Sequence, residues 1–298
     1  MRAEDTRNIE EYLAKFETTL SVMQHADAME RVAFELAEDN ARENVRYVEV
    51  RYSPILHTRE GFPLTEAVEA PVRGLARAEK QYGIKTGLII CGIRNMVAHT
   101  SRDLANLTVA FKGCGVVAFD LAGAEYNYPA KKHRDACFTV INRNMATTIH
   151  AGEAYGPESI HQALHYCRAN RIGHGTRLYE DPDLMQFVND FRVPLEICLT
   201  SNVQTRAVAS YAEHPLRRYF DAGLVVTLNT DNRLMSGTTV TDEYCKAHEH
   251  LGFTWEDIKR MAGMGFESAF LHREEKQELM RAAVKETGEI EQRLETGI

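Results

Sequence analysis

The chain has 298 residues, with 35 Lys and Arg against 43 Asp and Glu, for a formal net charge of −8. Its 44% hydrophobic and 26% charged residues, with 19 Gly and 8 Pro, are ordinary globular values and exclude disordered, collagen-like and low-complexity classes. The acidic balance also argues against a nucleic-acid backbone as partner, because phosphates need a basic stripe; a phosphate-free nucleoside remains open.

The opening MRAEDTRNIEEYL is charged from its second residue and has no apolar h-region, and Ile9–Met23 reads as helix. No apolar run approaches the ~18 residues of a membrane span. The six cysteines, Cys91, Cys114, Cys137, Cys167, Cys198 and Cys245, make no CxxC pair. The expectation is therefore a cytoplasmic protein with reduced thiols and no membrane partner. Short apolar, β-branched runs follow in order: Val45–Arg51, Lys85–Cys91, Val116–Leu121, Thr147–His150, Arg171–His174, Pro194–Cys198 and Leu224–Asn229. Between them lie helix-like patterns such as Met29–Glu38, Leu64–Tyr82, Glu158–Ala169 and Asp183–Asp190. Near-continuous apolar strands alternating with helices predict an α/β chain with a parallel sheet under helices. No linker divides it, so residues 1–298 read as one domain. Arg273–Ile298, rich in Glu, Lys and Arg, reads as a solvated terminal helix.

A closed (β/α)8 TIM-type barrel needs eight strands, and seven are visible. The expectation is a barrel missing its first strand, in a chain that is N-terminally incomplete. Active groups of such a barrel belong at the carboxyl ends of the strands. Here those ends carry Asp120 and Gly123, then His150 with Glu153, then His174, then Thr200, Ser201 and Asn202, then Asp231 and Asn232. A lone His at a strand end is more often a structural hydrogen-bonder. Two His and an Asp at three strand ends are harder to read that way, and they point to a metal site.

The motifs IHAGE (149–153), RIGHG (171–175), LTSN (199–202) and NTDN (229–232) stand in order with EVRYSP (49–54) and DLAGAE (120–125). Together they resemble the adenosine deaminase family of metal-dependent barrel hydrolases, from about Glu11 to about Ala269. The resemblance implies zinc-dependent hydrolysis of adenosine or deoxyadenosine to inosine and ammonia, in purine salvage. It implies His150 and Asp231 as zinc ligands and Glu153 as the acid protonating the purine ring. It also implies that His174 orients the attacking hydroxide and that the Gly123 backbone and Asn232 contact the purine. Zinc would lower the pKa of bound water toward ~7. A different reading of Glu153 is a first-turn carboxylate of the following helix.

Two departures stand out. The family carries a His-x-His pair at the end of its first strand, and the only His-x-His here is His248-Glu249-His250, in a helix-like stretch. Residues two apart on a helix diverge, so that pair reads as a solvated face. His161 and His165, spaced i,i+4, read as surface residues. With only His150 and Asp231, zinc falls short of three protein ligands, and the chain is expected to bind it poorly and turn over little. The second departure is Asn232, where many relatives have Asp; its amide can donate to purine N7 directly. Two readings compete with adenosine deamination: a non-catalytic purine-binding relative, and an amidohydrolase acting on adenine or another purine. The oligomeric state is not legible. An open barrel edge predicts poor solubility or association.

Overall fold

The computed structural model describes residues 15–296. Two helices open it, α1 (Phe16–Val22) and α2 (Ala26–Arg42); the expected helix from Ile9 lies outside the described residues up to Ala14. Then come β1 (Tyr47–Tyr52), α3 (Glu66–Tyr82), β2 (Lys85–Ile93), α4 (Ala98–Ala110), β3 (Val116–Ala122), α5 (Arg134–Ile141) and β4 (Ala146–Ala151). The series continues through α6 (Pro157–His165), β5 (Arg171–His174), α7 (Pro182–Asp190), β6 (Leu195–Ile197), α8 (Leu199–Gln204), α9 (Leu216–Asp221) and β7 (Val226–Leu228). Four helices close it: α10 (Arg233–Ser236), α11 (Val240–Leu251), α12 (Trp255–Ser268) and α13 (Arg273–Thr296).

The seven strands form one parallel sheet in sequence order, each paired with the next. The sheet curls so far that β1 meets β5 and β6 across a lumen: Arg171 pairs with Glu49, and Arg51 with Glu196 at 2.9 Å. This is the TIM-type barrel with seven strands. Among the described residues β1 pairs only with β2 and β7 only with β6, which leaves a seam between them.

The strands are less uniformly apolar than expected. Successive side chains alternate between faces. Val48, Val50, Leu88, Ile90, Phe119, Leu121, Ile149, Ile172, Leu195, Ile197, Val226 and Leu228 face outward and join the core shared with the helices. The alternate positions Glu49, Arg51, Asp120, His150, Arg171 and Glu196 face the lumen and satisfy one another there. An apolar outer face held under helices and a polar inner face explain why the charged residues are tolerated: each is paired, which buried charge requires. The floor of the lumen is closed from the far end of the chain. Arg171 donates to the Ser268 carbonyl at 2.9 Å and lies 3.5 Å over the Phe270 ring, and the Phe270 amide donates to Glu49 at 2.6 Å.

His248 and His250 lie exposed on α11, with His250 stacked on Tyr211, and His161 and His165 lie exposed on α6, as expected of both pairs. All six cysteines are free, with Cys114 and Cys245 exposed. No helix among the described residues is long and apolar enough to cross a membrane.

Candidate active site

Five strand ends deliver side chains to one mouth. His150, one residue before the end of β4, is in register with Gly173 of β5; a Cβ at Gly173 would come 3.1 Å from the His150 Cα, so glycine there gives the imidazole its place. His150 Nδ1 donates to Asp120 on β3, 3.0 Å from Oδ2 and 3.2 Å from Oδ1. A carboxylate on Nδ1 places the proton there and leaves the Nε2 lone pair for a ligand, the arrangement by which a carboxylate orients a metal-binding imidazole. Burial alone would raise the Asp120 pKa, but His150, Arg51 and the Leu121 amide outweigh it and hold the carboxyl well below the usual range. Asp120 thus serves His150, a role that its strand-end position did not disclose.

Asp231 follows β7 and is exposed in the open mouth while ringed by charge. Its desolvation is more than offset by His174, Arg51, the Ser201 hydroxyl at 2.7 Å and His150, so its pKa is lowered. His174 and Asp231 both have left-handed backbones, φ 65° and 54°. Such φ in non-glycine residues costs of the order of 1–3 kcal/mol and clusters at functional sites. The His174 and His150 ring centroids are 5.1 Å apart.

Glu153 is buried in the loop between β4 and α6, ahead of the helix rather than in its first turn, which removes the dipole reading. Thr205 Oγ1 donates to its Oε1 at 2.9 Å and Asn202 Nδ2 at 3.3 Å; its Oε2 lies 3.5 Å from His174 Nε2. The loop that carries it is held by a residue that the motif reading did not single out. Glu125 is buried and accepts from four consecutive amides: Gly152 at 2.6 Å, Glu153 at 3.1 Å, Ala154 at 2.7 Å and Tyr155 at 3.1 Å. Buried Arg94 meanwhile donates to the His150 carbonyl, so the segment is gripped by a cation at one end and an anion at the other.

Gly123 follows β3 with φ +96°, a conformation that favours glycine, and brings its backbone to the same rim. Asn232 caps α10, its Oδ1 accepting from the Met235 amide at 2.9 Å. The cap leaves its NH₂ available as a donor. The sequence therefore brought His150, Glu153, His174, Gly123, Asp231 and Asn232 to one end of one lumen.

As a zinc site, the donors fit in kind and fall short in number. His150 Nε2 and the ionised Asp231 are suitable ligands, yet among the described residues no group of three or more His, Cys, Asp or Glu is assembled to hold a metal ion.

Comparison with known proteins gives consistent similarities. The adenosine deaminase family model matches residues 1–286. Adenosine deaminase of Mycobacterium marinum is 41% identical over 294 residues, covering 93% of this chain and 81% of that protein. A probable adenosine deaminase of Dictyostelium discoideum is 38% identical over 268 residues, 90% of this chain; the chain spans only 35% of that protein's length. Among solved structures, an adenine deaminase from Arthrobacter aurescens superposes with a TM-score of 0.91 at 26% identity, covering 96% of this chain and 87% of that one.

Proposed function

The chain belongs to the adenosine deaminase family, a family of hydrolytic deaminases, and on that premise we propose that it deaminates adenosine or deoxyadenosine to inosine and ammonia, in purine salvage. The observation that supports this most is the convergence of Glu153, His174, His150 and Asp231 at one lumen mouth, with His174 Nε2 buried and without a hydrogen-bond partner. An orphaned buried polar atom costs free energy unless a substrate engages it.

Each residue then has a task. Glu153, held by Thr205 and Asn202 on one oxygen, presents Oε2 to the purine and delivers a proton to the ring nitrogen beside C6, which makes C6 electrophilic. His174 addresses the oxygen that adds to C6. Gly123 contacts the purine through its backbone, and the Asn232 NH₂ donates to N7. His150 and Asp231 would hold zinc, which when bound supplies hydroxide near neutral pH. Two donors leave affinity low. The family's His-x-His strand would pair into the seam between β1 and β7, and a chain that contains that strand should bind zinc firmly.

Ammonia release from adenosine, deoxyadenosine and adenine, with zinc measured by elemental analysis, tests this. Slow turnover of the two nucleosides is expected, with sub-stoichiometric zinc. Glu153→Gln should lower kcat about 10²–10⁴-fold. Similarity to an adenine deaminase gives the second reading its support. Turnover of adenine with none of adenosine would establish that reading in place of the first; stoichiometric zinc in this chain alone would overturn the ligand assignment.

A further inference from the structure

A chain of hydrogen bonds with a fixed direction reaches the mouth from a backbone amide. The Leu216 N–H donates to His214 Nδ1 at 3.1 Å. An amide nitrogen only donates, so Nδ1 is the acceptor and the His214 proton sits on Nε2. His214 is buried, and burial together with neighbouring His174 pushes its pKa down to about 3, which keeps the ring neutral. Its Nε2–H can then only donate, to Asn202 Oδ1 at 3.1 Å. That contact orients the Asn202 amide, which is fully buried, and turns Nδ2 toward His174 Nδ1 at 3.0 Å and Glu153 Oε1 at 3.3 Å. Both of the latter must accept. The His174 proton is consequently on Nε2, the atom that makes no hydrogen bond and faces Glu153 Oε2 at 3.5 Å.

We propose that His214 and Asn202 are positioning residues: through Leu216 N–H to His214 to Asn202 to His174, they fix His174 as the Nε2–H tautomer, so that it presents a donor to the oxygen adding at purine C6. The catalytic consequence rests on the deaminase reading; the tautomer does not. A donor at that place stabilises an oxygen as it gains negative charge, whereas an Nδ1–H tautomer would offer a lone pair and repel it. The direction is over-determined, because reversing the Asn202 amide would set its oxygen against Glu153 and its NH₂ against the His214 proton.

Nitrogen-15 NMR of the histidine-labelled full chain tests the assignment without turnover. The wild-type protein should show both His174 and His214 protonated at Nε2. Asn202→Asp replaces the donor with a second acceptor, and His174 should then carry its proton on Nδ1. Loss of the donor at Nε2 should lower kcat for adenosine about 10²–10³-fold, with a much smaller change in KM. His214→Gln retains an NH₂ donor to Asn202 and should keep the Nε2–H signature; His214→Ala should give mixed tautomers. That pair carries the test if the Asn202 variant does not fold. An Nδ1–H signature in the wild type, an unchanged signature in Asn202→Asp, or identical His174 spectra in the two His214 variants would overturn the proposal. Absence of adenosine turnover in the wild type would count against the deaminase reading and leave the spectroscopic result to stand.

Discussion

At the scale of single residues, Glu125 carries more of the site than its place in a loop suggests. One carboxylate satisfies four successive amides, so the loop that bears Glu153 has its shape set by a neighbour. Glu125→Gln turns one acceptor into a donor that faces other donors. We expect a loss of about 1–3 kcal/mol in stability and faster hydrogen exchange at the amides of residues 152–155, with barrel amides unchanged. Unaltered exchange there would show that the loop holds itself. His214 supplies a pH dependence. Its pKa is ordinary, about 6.5, in the unfolded chain and about 3 in the fold, so the unfolded chain takes up a proton that the folded one refuses. Stability should be full above the ordinary value and fall as pH drops through that window, by at most about 1.4 kcal/mol per pH unit for this group. Burial shifts His57 and His133 in the same direction. Melting temperatures in the mildly acidic range should decline in the wild type and less in His214→Gln; equal slopes would remove His214 as a cause.

At the scale of elements, all seven strands were legible because apolar, β-branched runs stood between turn residues, and each lies within about two residues of its expected start. Their inner polarity was less visible: Glu49, Arg51 and Glu196 alternate with apolar residues in runs that read as almost continuous. Helices α11 and α12 carry a signal in plain view, the capping boxes of Thr239 with Asp242 and Thr254 with Asp257. The site residues were legible as strand-end motifs. Asn202 stood among those strand-end residues, but its role, like those of Glu125 and His214, was not legible, because it comes from contact across the mouth, at separations that no local pattern records. The seam is the element-level hazard. Every β1 residue is only half-buried, and both sheet edges beside the seam lack a strand partner among the described residues. Unpaired edges template association. Light scattering should find oligomers that grow with concentration, and a monodisperse monomer throughout would show that the seam is covered.

At the scale of the whole molecule, the sheet is assembled from neighbours in sequence, and what draws its two ends together lies inside. Arg171 on β5 reaches Glu49 on β1 and Glu196 on β6, the latter at 2.6 Å, while Arg51 on β1 also reaches Glu196. Arg171→Met would leave Glu49 without a cation and Glu196 with Arg51 alone, and should cost about 3–5 kcal/mol in equilibrium unfolding. Adding Glu49→Gln and Glu196→Gln should recover much of it; no recovery would mean that the arginine matters through its stacking on Phe270. The timing of this network is a further consequence of the strand order. Strand-to-next-strand pairing closes only short loops, so it can spread along the chain early, whereas the Arg171–Glu49 contact must wait until the sheet has curled. Interactions absent from the transition state act on the unfolding rate. Stopped-flow measurements on Arg171→Met should therefore find refolding almost as fast as in the wild type and unfolding faster by nearly the whole equilibrium effect, so that the lumen charges act as a latch on a barrel already formed.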